Sequence, residues 1–241
     1  MRRLLALSLA LLAGSAFAAV GKIAVLEGAG TRTPKDGAAV ALAVGTEVEL
    51  GDTLDVTKGN LKFELNDGSV IALAEKSKLE ITEAEFEGQE RKGFSAFLKA
   101  GSLWTKVKKA LGGGKFEVTT ERAVAGVRGT IFRIDADTLV KAAKGKGQGR
   151  KASVVRVVEG VVAVKPTKAI AKTIKSATPP QKGARVEVPG PKEITADEWE
   201  ARFVELQQNQ QIAVGVDLWE QAEIDAKAKA DAFSKWLEKN P

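Results

Sequence analysis

The sequence predicts an all-β body, built as a sandwich, a roll or a solenoid, followed by a short C-terminal two-helix tail. Residues 20–188 read as closely spaced short strands with no helical pattern between them, which argues against an alternating α/β fold. Glycines and an Asp-Gly pair punctuate those strands, and past residue 188 both the periodicity and the charge change.

The chain opens on a targeting pattern. Arg2 and Arg3 precede an apolar stretch over residues 4–13, and Ala16-Phe17-Ala18 offers a small-x-small cleavage site. Together these read as a secretory signal peptide over residues 1–18. The apolar stretch is about half the roughly 20 residues that a membrane span needs, so a mature chain beginning near Ala19 is expected. The absence of cysteine removes both a disulfide framework and a lipid-modified N-terminal cysteine. The expected location is therefore periplasmic or secreted, with no transmembrane anchor.

The β-rich body is expected over residues 19–188. Strands are predicted over 21–26, 47–50, 61–65, 70–73, 79–81, 116–118, 130–134 and 154–164. In the third of these Leu61, Phe63 and Leu65 alternate with Lys62 and Glu64, the period of a half-buried strand. Asn66-Asp67-Gly68-Ser69 is a turn signal, and three glycines at 112–114 read as a loop tip. Asp52 and Asp67 flank glycine turns, where aspartate accepts backbone hydrogen bonds; calcium binding is the alternative reading.

Residues 123–132 form an apolar run broken at Gly126 and Gly129. Glycines so placed allow a positive φ or a close backbone approach, so a corner between two short strands is expected. Arg128 is the only charge inside that corner. It is expected to fix the corner by bonding backbone carbonyls or a carboxylate on the neighbouring rung, with a ligand or partner contact as the alternative.

Charge is unevenly spread. Residues 141–175 carry ten basic side chains against Glu159 alone, whereas residues 192–241 carry six basic and eleven acidic ones. Lys141, Lys144, Lys146, Arg150 and Lys151 lie in a glycine-rich stretch that reads as an insertion or hairpin tip. Such runs are solvated, or they contact an anionic cell-envelope polymer. Nucleic acid is excluded by export and by the lack of aromatic residues among the lysines to stack bases.

Pro189-Gly190-Pro191 cannot continue a strand ladder and reads as a hinge over residues 189–194. An α-helical tail is then expected over residues 195–241. Thr195 and Glu198 form a capping box, with Trp199, Phe203 and Leu206 on one face. A second helix is predicted over about 217–239, with Leu218, Ala222, Ala226, Ala230, Phe233 and Leu237 as its stripe. Three of the four tryptophans lie in this tail, so its helices must bury them, either against each other and the β body or in a partner's groove.

Catalysis has little to build on. With no histidine, cysteine or tyrosine, the chain lacks an imidazole base, a thiol nucleophile and soft metal ligands. Glu83, Glu85 and Glu87 alternate along one strand-like stretch, but Arg91 and Lys92 follow across an apparent turn. An exposed charged hairpin accounts for them better than a catalytic carboxylate pair. No active site, cofactor or metal is expected.

Five blocks occur in an order that resembles the FecR-domain proteins. They are Gly51-Asp52-Thr53-Leu54; Leu65-Asn66-Asp67-Gly68-Ser69; Leu98 through Lys99-Ala100-Gly101-Ser102-Leu103 to Trp104; Phe116-Glu117-Val118-Thr119-Thr120 leading into Gly126-Val127-Arg128-Gly129-Thr130-Ile131-Phe132; and residues 155–164, with Gly160. The likeness covers roughly residues 45–165, and the order of the blocks makes it specific. It implies a β-solenoid-like periplasmic domain of the kind that relays signals between an outer-membrane receptor and a sigma factor. Those regulators resemble anti-sigma proteins with a cytoplasmic domain and one membrane helix. In this chain a leader directly precedes the domain, so contact with a sigma factor is not expected. The family's usual proline before the arginine motif is also replaced, by Thr120-Glu121-Arg122. The expected role is a non-catalytic interaction, scaffold or signalling module that binds an envelope protein, with an anionic envelope polymer bound through 141–175 as the alternative.

Overall fold

The computed structural model describes residues 19–109, 114–140, 149–174, 203–224, 226 and 230–240. The leader, the hinge, the expected first tail helix up to residue 202 with Trp199, and Lys141, Lys144 and Lys146 lie outside these residues.

The described chain is mostly β. Its strands are β1 (Gly21–Thr33), β2 (Val40–Ala41), β3 (Glu47–Val48), β4 (Thr53–Leu65), β5 (Val70–Leu73), β6 (Ser77–Glu87), β7 (Glu90–Lys106), β8 (Lys115–Thr119), β9 (Ala123–Val127), β10 (Ile131–Val140), β11 (Arg150–Glu159), β12 (Val162–Pro166), β13 (Val204–Leu206), β14 (Gln210–Gly215) and β15 (Leu218–Glu223). Two short helices, α1 (Lys168–Ala171) and α2 (Ala232–Lys239), complete them.

All fifteen strands belong to one hydrogen-bonded sheet whose main path runs β13-β12-β9-β8-β7-β10-β11-β14-β15. Every pairing is antiparallel except β7 with β8. The long strands each serve two sets of neighbours. Residues 53–56 of β4 pair with β6, whereas residues 61–64 pair with β5. In β7, residues 93–97 pair with β8, and residues 103–106 pair with β5 and β10. Leu54, Leu61, Ile71, Leu79, Phe94, Leu103, Phe116, Phe132, Val157 and Val162, drawn from both sets, meet in one core.

The crossing point of β7 is Gly101. Its φ is +83°, and a Cβ there would lie 2.4 Å from Cα of Ser77. The buried Ser77 hydroxyl donates to the Ser102 carbonyl at 3.0 Å and accepts the Ser102 amide at 2.9 Å, which fastens β6 to β7 where β7 changes neighbours.

Local alternation locates most strands but not their lengths or breaks. The stretch predicted as one strand over 154–164 is two, β11 and β12, because Gly160 turns the chain at φ +87°. Of the corner glycines, Gly129 has φ +65°, whereas Gly126 lies inside β9 with an ordinary φ and open space at its Cβ. The close-approach reading of Gly126 is thus corrected. Where the resembled family has proline, the Thr120 hydroxyl accepts the amides of Arg122 and Ala123 at 3.2 and 2.9 Å, holding the turn by side-chain bonding instead of a fixed φ.

The helical tail is the largest correction. Residues 217–239 do not form one helix: Leu218 and Ala222 lie in β15, and the helix spans only Ala232–Lys239. Leu206 lies in strand β13, and Phe203, just before it, is 60% exposed. A turn at Val216 and Asp217, the latter at φ +50°, pairs Gly215 with Leu218 and closes the β14–β15 hairpin. β14 in turn adds to the edge of β11. An apolar spacing near four residues fits a helix in isolation, but an open edge strand offers ladder bonds that outweigh that preference.

Candidate functional site

The outer face of the sheet, opposite the core, is where the molecule presents chemistry. The strand registers set two parallel rows across β5, β7, β10 and β11. One row is Ala72, Trp104, Arg133 and Arg156; the next is Val70, Lys106 and Ile131, ending beside Val158.

Helix α2 covers the first row. Phe233 and Trp236 are buried against Ala72, with Val25, Ala74, Trp104 and Leu237 packed around them. Burying two such rings contributes roughly 1.5–3 kcal/mol each. Polar contacts fix the docking. Arg133 Nη1 donates to Asp231 Oδ2 at 2.5 Å, its guanidinium lies 5.3 Å from the Phe233 ring centroid, and Lys62 Nζ donates to the Asn240 carbonyl at 3.1 Å. Asp231 also caps the helix by accepting the Ser234 amide at 2.8 Å. Beneath them the buried Asp135 carboxylate accepts Arg133 Nε at 2.8 Å and an Arg156 Nη1 hydrogen bond, and Arg156 Nε donates to Gln211 at 3.0 Å.

Burial pushes the Asp231 carboxyl up, but the Ser234 amide and hydroxyl and the Arg133 guanidinium outweigh it and hold the group below its ordinary value of 3.8. A carboxyl lowered in the folded state stabilises it above the unfolded value and loses that stabilisation as pH falls through the folded value. The α2 contact is therefore expected to persist from neutral pH down to about pH 4 and to weaken only below it. Asp231→Ala should remove that acid dependence, read by proteolysis at the residues just before the helix. Equal acid sensitivity in the variant would place the titrating group elsewhere.

The second row stays open. A hollow of about 580 Å³ lies between it and the helix, floored by Ile131 and Val158 and walled by Trp104, Leu237 and Ile224. A second hollow of about 290 Å³ lies beside it, lined by Val70, Gly68 and Lys108 and sharing Trp104 and Lys106. Val158 is 46% exposed, and Lys106 and Lys108 point outward.

Arg128 is exposed and has no hydrogen-bond or ion-pair partner among the described residues. The expectation that it fixes the corner is thus corrected. That work falls to Thr130, whose hydroxyl donates to the Val161 carbonyl at 3.0 Å. The buried arginine is Arg91, expected in an exposed hairpin. Its Nη1 bonds Asp67 and, at 3.0 Å, Ser69; its Nη2 donates to the Lys108 carbonyl at 3.0 Å; and the group lies 5.1 Å from the Phe116 ring centroid. Burial pushes its guanidinium down, against the upward pull of Asp67.

Asp67 further accepts the Ser69 amide at 2.8 Å, and Asp52 accepts Arg32 at 2.5 Å and the Glu49 amide at 2.7 Å. Gly51 and Gly68 take positive φ beside them. Glu83 is bound by the Ser95 hydroxyl at 2.8 Å and by Lys115 at 3.0 Å, and these bonds hold its carboxyl below the ordinary value. No group of three or more acidic, histidine or cysteine side chains converges as a metal site among the described residues.

Arg150 and Lys151 open β11 and are exposed, with Arg150 donating to the Asp217 carbonyl at 3.0 Å. Lys168 and Lys172 are also exposed, and Lys165 is half-buried. The Thr120 and Ser153 hydroxyls bond at 2.8 Å, and Thr167 donates to the Glu121 carbonyl at 2.8 Å. No helix among the described residues is long and apolar enough to cross a membrane.

The arrangement defines a β-rich module: a packed core, structural ion pairs, and an outer face half covered by the chain's own helix. Residues 52–163 match the family model described as FecR protein, so the chain carries a FecR domain over that span. Two crystal structures titled as a candidate anti-sigma factor from Parabacteroides distasonis are similar in fold. One shares 18% identity over 77% of this chain and 63% of that chain, at a TM-score of 0.45. The other shares 17% over 77% and 64%, at 0.44. This chain thus spans less than two thirds of the length of either. No curated protein matches it.

The pattern of the sequence did not point to Trp104, Lys106, Ile131 and Val158 as a site. One signal was present: Val154, Val155, Val157 and Val158 put valines on both faces of the strand around Arg156, and an outward valine calls for a cover.

Proposed function

We propose that this chain is an exported, non-catalytic FecR module that works in the cell envelope by binding another protein, as a scaffold or signalling part. The FecR domain over 52–163 carries the reading, and the open apolar row beside α2 supplies a surface for it. The leader pattern over 1–18 supports export to the periplasm or beyond. The passage of β4 and β7 between two sets of neighbours supports a rolled two-layer body over a solenoid.

A second reading, binding of an anionic envelope polymer, is favoured by one observation: residues 141–175 carry ten basic side chains against Glu159 alone, and Arg150, Lys151, Lys168 and Lys172 among them are exposed. Capture from envelope extract by the tagged chain, at low and high salt, separates the two. A discrete protein held at high salt is the expected result. Retention of salt-labile polymer alone, abolished by Lys165→Glu, Lys168→Glu and Lys172→Glu together, would replace the first reading with the second.

A further inference from the structure

We infer that the open row of the outer face is a docking groove for an acidic, amphipathic segment of another protein. This inference rests on the protein-binding reading above and names the seat and the chemistry of the partner.

Three observations carry it. The two hollows adjoin at Trp104 and Lys106, which line both, so together they cross β5, β7, β10 and β11. Three inter-strand steps of about 4.8 Å make the groove roughly 14 Å long, which matches about nine or ten residues of helix. Its floor is apolar: among the described residues no element covers the half-buried Val70 and Ile131 or the exposed Val158, although the row beside them is sealed by Phe233 and Trp236. A groove of this kind gains from an occupant with apolar side chains.

Charge selects the occupant. The two guanidiniums in the groove wall are engaged, Arg133 by Asp135 and Asp231, and Arg156 by Asp135. Lys106 and Lys108 have no acidic partner among the described residues. Beyond them stand Lys109, packed beside Gly129, and the exposed Arg128. Glu238 is the only carboxylate lining either hollow among the described residues. Lys106 stands between Val70 and Ile131 in the row and Lys108 lies at its end, so cations are set beside apolar groups, complementary to a segment that carries both leucine-like side chains and carboxylates. A bare polyanion would satisfy the lysines and leave the apolar groups uncovered.

The test uses the full chain and three labelled peptides read by fluorescence anisotropy: a twelve-residue leucine/glutamate amphipathic peptide, its glutamine counterpart and oligoglutamate. The leucine/glutamate peptide is expected to bind. The glutamine peptide and the double variant Lys106→Glu with Lys108→Glu should each weaken binding at least tenfold, and Val158→Asp at least fivefold, with melting temperatures unchanged because all three side chains are exposed. Equal binding by the double variant, or oligoglutamate binding as well as the amphipathic peptide, overturns the groove. A dimer in sedimentation that the double variant dissolves would make a second copy the occupant and overturn it too. An envelope protein held equally by wild type and double variant leaves the protein-binding reading standing and removes this groove as its seat. Peptide discrimination without any captured envelope protein supports the groove and counts against that reading.

Discussion

Replacing Asp67 with alanine should destabilise the chain by about 3–5 kcal/mol, the cost of leaving a buried charge without its partner. Arg91 has a fully buried side chain, and Asp67 is its only carboxylate contact among the described residues. Its Nε has no partner among them either, so once the carboxylate is gone the guanidinium keeps only neutral partners, the Ser69 hydroxyl and the Lys108 carbonyl. At roughly 2–4 °C per kcal/mol for a chain of this size, the melting temperature should fall by about 6–20 °C. The double variant Asp67→Ala with Arg91→Met should recover most of that loss, since a buried ion pair exchanged for apolar groups of similar volume is often close to neutral. The methionine would still fill the space over Phe116, which stacks on Phe94 with centroids 5.0 Å apart. If the double variant melts below the single one, the ion pair contributes through more than charge compensation, and an unpaired buried charge is not the source of the loss.

Gly101→Val should cost about 2–5 kcal/mol. A left-handed φ in a residue with a Cβ costs about 1–2 kcal/mol, and forced overpacking about 1–3 more. The neighbour that would have to yield is Ser77, whose Cα lies 2.4 Å from the would-be Cβ and whose hydroxyl holds both backbone groups of Ser102. Because β7 changes neighbours there, the damage should reach both pairing sets, and thermal unfolding should lose cooperativity as well as shift downward. Gly126→Ala is the control. It has open space at its Cβ and no left-handed φ, so its effect should stay within about 0.5 kcal/mol. Melting temperatures that ranked the two substitutions the other way would make Gly126, and not the β7 crossing, the position that tolerates no side chain.

The exposed Arg128 and the buried Arg91 show how far sequence reaches in placing a charge. Arg128 sits in an apolar, glycine-marked corner and so reads as structural, yet it has no hydrogen-bond or ion-pair partner among the described residues. Arg91 follows glutamates across a turn and so reads as solvated, yet it is fastened to Asp67, a residue 24 positions away. Local pattern reports what a side chain sits beside in sequence. Its burial depends on which strand returns across it.

What the sequence determined by itself was local. Leu61, Phe63 and Leu65 alternate because a half-buried strand demands it, and all three are in the core. Asn66-Asp67-Gly68-Ser69 turns because aspartate bonds the Ser69 amide and glycine accepts a positive φ. The order of the FecR blocks was legible for the same reason: each is a turn or strand whose chemistry is complete within a few residues. The tertiary structure decided what depended on distant partners. Residues 218–223 became a strand because β11 and β14 offered an edge to extend, although their own spacing suited a helix. The groove likewise exists only after β5, β7, β10 and β11 align Val70, Lys106 and Ile131 beside Val158, and α2 covers the row next to them. Side-chain periodicity is set within a segment, whereas burial and pairing are set by long-range contacts that no short window contains.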